Sequence, residues 1–99
     1  MRIIKKRTLE TFWIKYPDSK KQLEIWYFLV LKSKWQNLND VKNISNTSIL
    51  SNNRVVFNIK GNNYRLIVEI NFNAEIVYIC WIGTHGDYDR IDANAVWDY

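Results

Sequence analysis

Apolar residues recur at helical spacing through the first half of this chain and at every second position through much of the rest. Leu9, Phe12, Trp13 and Tyr16 fall at i, i+3, i+4 and i+7, which lines one face of a 3.6-residue helix. Pro17 ends that helix, and Asp18 is the expected N-cap of a second one, in which Leu23, Trp26, Tyr27 and Val30 repeat the spacing. Ile25, Phe28 and Leu29 widen its apolar arc. A helix of this kind must be covered on more than one side, and cover from its own sheet and sister helix is expected over cover from another chain. Trp35, Leu38 and Val41 predict one or two further helical turns, and residues 43–53, rich in Ser and Asn, predict a loop.

Three strands are expected after that loop. In residues 54–60, Val55, Phe57 and Ile59 alternate with Arg54, Asn58 and Lys60. In residues 64–70, Tyr64, Leu66, Val68 and Ile70 alternate with Arg65 and Glu69. A two-residue Asn62-Asn63 turn would pair Ile59 with Leu66, Phe57 with Val68 and Val55 with Ile70, apolar against apolar. The same register sets Lys60 opposite Arg65. Like charges so placed are unfavourable unless an anion lies between them, which marks a candidate phosphate site; two side chains splaying into solvent is the plainer explanation. Residues 76–82 are apolar on both faces, as in a strand covered on two sides. A three-residue loop at 73–75 would put Cys80 on the core face with Val68, and a four-residue loop at 71–74 would put it beside Arg65 on the other face. Both registers stay open. The pattern as a whole predicts an α+β fold, two N-terminal helices packed on a small antiparallel sheet, in a single domain over residues 1–99.

Composition narrows the class. With 47% hydrophobic and 15% aromatic residues in a chain of 99, a packed core is affordable and disorder is excluded. One cysteine allows no intramolecular disulfide, and with one histidine it cannot build a Cys/His zinc site, so neither metal nor cofactor is expected. No run approaches the roughly 20 apolar residues that span a bilayer. Thr8-Leu9-Glu10 follows the basic head where a signal peptide needs its apolar stretch, so a cytoplasmic location is expected. The net charge of +4 favours a polyanionic partner, nucleic acid first, although Lys and Arg also simply solubilise.

The densest group of reactive side chains is Gly83-Thr84-His85-Gly86-Asp87-Tyr88-Asp89. Thr84 can cap a short turn, on which His85 and Tyr88 would share a face. Histidine can give or take a proton near neutral pH, and Arg65 with Lys60 can hold a phosphodiester and its developing charge. Those are the parts of a metal-independent ribonuclease, in which the 2′-hydroxyl attacks the neighbouring phosphorus. Against it, a lone histidine near a strand end is more often an ordinary surface or capping residue, and a tyrosine more often packs.

Three segments bear on this choice: Tyr16-Pro17-Asp18, the stretch Val56-Phe57-Asn58-Ile59-Lys60-Gly61-Asn62-Asn63-Tyr64-Arg65-Leu66-Ile67, and Thr84-His85-Gly86-Asp87-Tyr88-Asp89-Arg90-Ile91. Together, in this order, they resemble the hallmarks of the HigB toxins, a family similar in fold to the RelE and ParE toxins. The likeness covers nearly the whole chain, about residues 9–92. It implies cleavage of mRNA, on translating ribosomes or free of them, that arrests translation, and a helix-turn-helix antitoxin of the HigA type in a toxin–antitoxin hetero-oligomer. By match, Arg65 would stabilise phosphate, His85 would serve as acid or base, and Tyr88 would help position the RNA. Lys60, Arg54, Lys34, Arg90 and Trp81 belong to a basic and aromatic stripe suited to RNA, in which rings stack unpaired bases. The chain departs from the family pattern at Cys80, where an arginine is usual. Losing one such donor can cost on the order of a hundredfold in rate unless Lys60 or Arg54 substitutes. Cys80 itself is expected to be a core residue and not a nucleophile. Two rivals remain: a non-catalytic RNA- or protein-binding module, which the absent arginine favours, and a ParE-like topoisomerase-directed toxin, which needs no proton-shuttling histidine. The Val96-Trp97 pair is placed either back on the domain or on a partner.

Overall fold

The structure, a computed structural model, describes residues 1–44 and 46–97. Helices α1 (Lys6–Lys15) and α2 (Lys20–Lys32) stand where the periodicity places them, joined by a 3-10 turn at Pro17–Ser19. Proline opens that turn because its fixed φ suits a first helical position, where no N–H is needed. The short helix α3 (Leu38–Lys42) follows, with the Asn37 side chain accepting from the Asp40 N–H as its cap. Asp18 does not cap α2. It lies inside the 3-10 turn, Ser19 takes the N-cap position, and the Asp18 carboxylate reaches instead to Tyr64 and Lys60.

Strands β1 (Arg2–Ile4), β2 (Thr47–Ile49), β3 (Arg54–Ile59), β4 (Tyr64–Asn71) and β5 (Ile76–Thr84) form one sheet in the order β1-β5-β4-β3-β2. The expected antiparallel sheet is in fact mixed, because β1 runs parallel to β5. The expected loop at 43–53 holds β2, paired antiparallel to β3. Both additions are three-residue edge strands, too short to display an alternation. The ammonium of Met1, just before β1, donates to the carbonyls of Val30, Leu31 and Ser33 at the end of α2, where helix carbonyls carry partial negative charge.

The β3–β4 hairpin has a four-residue connection, so Ile59 pairs with Tyr64, Phe57 with Leu66 and Val55 with Val68. The expected register is therefore two residues out. The shift keeps every side chain on its expected face, but Asn58 and not Lys60 stands opposite Arg65. Positive φ falls at Lys60 (52°) and Gly61 (63°), not at the two asparagines. What fixes this register is Tyr64: its buried ring packs against Phe12 and Tyr16, and its hydroxyl meets Asp18.

A bulge decides the open question at Cys80. Val68 pairs with Ile79 while Ile67 pairs with Trp81, leaving Cys80 as the extra residue. Cys80 consequently lies on the face away from the helices, with Val56, Ile67 and Trp81, and not beside Arg65, which pairs with Gly83.

One face of the sheet, with Val55, Phe57, Leu66, Val68, Val77 and Ile79, meets Leu9, Leu23, Trp26 and Val30 of the two helices in the main core. Each fully buried aliphatic side chain there contributes roughly 1.5–3 kcal/mol. The other face is covered by the chain's own end: Ile91, Ala93 and Val96 pack on the smaller cluster around Cys80. The cover expected over all of α2 is absent, since Ile25 (53%), Phe28 (54%) and Leu29 (45%) remain exposed. One sheet and one sister helix reach only one side of a helix. Among the described residues no helix is long and apolar enough to cross a membrane.

Candidate functional site

The bulge in β5 and the short helix α4 (His85–Tyr88) that follows it shape the rim of the sheet. The Thr84 hydroxyl accepts from the Asp87 N–H and caps α4, so the chain turns at once from strand to helix. The N–H of His85 donates to the carbonyl of Asn63 (3.0 Å), which ties the start of α4 to the β3–β4 turn. That bond brings His85 beside Arg65.

Arg65 Nη2 lies 3.4 Å from His85 Nδ1. A guanidinium can only donate, so in this contact Nδ1 stands on the acceptor side. Arg65 Nη1 donates to the Asn62 carbonyl (2.9 Å), and the guanidinium carbon stands 5.7 Å from the centre of the Tyr88 ring. Tyr88 in turn leans on Trp81, ring centres 6.3 Å apart. Among the described residues Arg65 forms no ion pair. An exposed imidazole, an unneutralised guanidinium and a phenol therefore meet at one rim, as expected of His85, Arg65 and Tyr88 from their sequence positions.

The remaining expected residues are dispersed. Lys60 turns to the helix side and pairs with Asp18 at 3.4 Å, so it does not join Arg65. Arg54 is only 4% exposed; it bonds Glu69 (3.1 Å) and the carbonyls of Ala93 (3.1 Å) and Val96 (2.7 Å), and holds the chain end against the sheet. Lys34 borders a cleft with Ala74 and Glu75, at the end of β5 opposite to His85. Arg90 is exposed near Asp87 (3.9 Å), and Trp81 is largely buried, with one edge in the same cleft as Arg90. Burial pushes the Cys80 thiol up to about 11, as befits a core residue. Lys60 and Arg54, the two candidates to replace an arginine there, are both engaged with other partners, Lys60 with Asp18 and Arg54 with Glu69 and the chain end.

One structural residue was missed. A Cβ on Gly83 would lie 2.3 Å from Trp81 Cη2, so only glycine lets that indole lie across the strand and support Tyr88. A glycine inside a strand is the signal that marks such a close approach.

The family profile described as HigB toxin, RelE-like toxic component of a toxin–antitoxin system, matches residues 19–91. The chain belongs to the HigB toxin family. Comparison with curated proteins gives no match. The matched segment of this HigB family member runs from the proline turn to just past α4 and so contains Arg65, His85 and Tyr88 together. As the toxic component of a toxin–antitoxin system, it has an antitoxin as its partner.

Proposed function

We propose that this HigB family toxin is an endoribonuclease that cuts messenger RNA, on ribosomes in the act of translation, and that a helix-turn-helix antitoxin of the HigA kind restrains it. The observation that carries this reading is the Arg65 guanidinium, without an ion pair, 3.4 Å from the His85 imidazole on an exposed rim. A phosphodiester seated there would accept hydrogen bonds from Arg65, whose fixed charge offsets the charge that builds on the non-bridging oxygens in the transition state. The 2′-oxygen forms a bond to phosphorus as the bond to the 5′-oxygen breaks. The 2′-hydroxyl gives up its proton, the departing 5′-oxygen gains one, and His85 serves as acid or base in that exchange. The products are a 2′,3′-cyclic phosphate and a 5′-hydroxyl. Tyr88, held between Trp81 and Arg65, would help position the RNA.

The test is expression of His85→Ala and Arg65→Ala chains beside the parent. Both are expected to fold, because His85 is exposed and Arg65 half-buried, and both are expected to relieve growth arrest and leave message uncut. A folded His85→Ala chain that still arrests growth and cleaves message would sink the proposal. Arrest with intact message and a DNA-damage response would point to a topoisomerase target. Arrest with intact message and ribosome binding would point to occupation without cutting.

A further inference from the structure

The proposed chemistry leaves one large surface feature unused. β1 pairs with β5 at Ile76, Val77 and Tyr78, and among the described residues no strand lies beside β5 farther along this edge. Between that bare edge and α1 run two adjoining clefts of about 350 and 380 Å³, which share Phe12, Lys15 and Ile82. The first is bordered by Lys5 and Arg7, and the second reaches Gly83, Asp87 and Arg90. Among the described residues, four cationic side chains thus border one continuous groove, and Asp87 is the one carboxylate that lines it.

Arg7, Thr11 and Lys15 stand at i, i+4 and i+8 on one face of α1, so the two charges, of Arg7 and Lys15, are set about 12 Å apart along the groove with the Thr11 hydroxyl between them. The floor is aromatic: Phe12 stacks on Tyr16 with ring centres 4.7 Å apart. A cationic wall over an aromatic floor is how proteins hold single strands without reading sequence, phosphates on the charges and bases against the rings. One end of the groove reaches Gly83, which pairs with Arg65 in the ladder, and α4, whose first residue is His85. An acidic protein segment would satisfy the charges but would not need the rings.

We propose that this groove binds single-stranded RNA flanking the phosphate held by Arg65 and His85, with its phosphates on Arg7 and Lys15. The proposal gains its biological sense from the ribonuclease reading above, yet it concerns affinity and not cutting, so the two can fail separately.

The experiment measures binding of the full chain to a short single-stranded DNA and to a 2′-O-methyl RNA of the same sequence, neither of which offers a 2′-hydroxyl to attack, across a salt series. Arg7→Gln/Lys15→Gln is compared with Lys21→Gln/Lys42→Gln, which removes the same charge from exposed residues outside the groove. Each phosphate contact on a single strand contributes about 0.7 to the slope of log affinity against log salt, so the groove variant should lose roughly 1.4 from that slope and about tenfold in affinity at low salt. The control should keep the parent slope. An unchanged slope in the groove variant, or an equal loss in the control, overturns the proposal. So does a groove variant that keeps its RNA affinity but loses the antitoxin. If the groove variant loses the slope while natural RNA stays uncut by the parent, the groove stands and the nuclease reading falls; cutting with an unchanged slope means the reverse.

Discussion

The Tyr64 hydroxyl donates a 2.5 Å hydrogen bond to Asp18 across 46 positions of sequence, and so fastens the turn between the two helices to the first residue of β4. That bond holds the Asp18 carboxyl below its ordinary 3.8, with Lys60 as a lesser cause, and pushes the Tyr64 hydroxyl up to about 12. A depressed carboxyl contributes stability that is complete above its unfolded value and lost as pH falls through the folded one. A raised phenol contributes stability that is complete below about 10 and lost as pH rises through about 12. Tyr64→Phe should therefore be less stable than the parent by a constant margin from mildly acidic to mildly alkaline pH. The margin should close at both extremes. Urea unfolding at a series of pH values measures it, and a margin that ignores acidification would show that the bond carries no stability.

Cys80 gives a chemical check on the cover that the chain end lays over the outer face of the sheet. Its thiol is fully buried under the chain end and pushed up to about 11 by that burial, so little thiolate exists at neutral pH. Labelling by a maleimide or a disulfide reagent should be slow in the native protein and fast in denaturant. Fast native labelling would mean that the cover from residues 91–96 opens readily.

What could be read from the residues beforehand divides along physical lines. The two helices and the faces of β3, β4 and their neighbours were legible, because burial on one side imposes a period and a two-residue slip leaves that period intact. The edge strands were not, since three residues carry no period and their pairing is set by β5 and β3. The exposed side of α2 shows the same limit from the other direction: an apolar arc says that cover is favourable, not that this chain supplies it. At the site, His85, Arg65 and Tyr88 were legible as a motif. Lys60 was not, because its direction depends on a turn whose positive φ sits on Lys60 itself, and Arg54 was not, because only the folded chain end gives its guanidinium carbonyls to bind.

Arg54 supplies the next prediction. Its guanidinium is bonded to Glu69 and to two carbonyls of the chain end, and the Trp97 ring lies 5.3 Å from its carbon. Arg54→Ala strands those carbonyls and leaves Glu69, which is one-third exposed, without its partner; the cost should be about 2–4 kcal/mol. Hydrogen exchange should quicken first at residues 93–97, ahead of the sheet. Uniform quickening throughout would mean that Arg54 supports the whole fold and not the chain end in particular.

Gly83 connects packing to chemistry. A methyl group there would collide with the six-membered ring of Trp81, at 2.3 and 2.4 Å from two of its carbons, so Gly83→Ala must displace the indole. Overpacking of this kind costs about 1–3 kcal/mol. The indole also backs Tyr88, and Tyr88 flanks the Arg65 guanidinium, so the displacement should pass to the group proposed to hold phosphate. Gly83→Ala should consequently weaken RNA cleavage by more than its loss of folded protein accounts for. Trp81→Leu removes the obstacle, and the pair of changes should then cost less stability than the two separately, a coupling that a double-mutant cycle measures. Additive costs would show that Gly83 is glycine for some reason other than the indole lying across it.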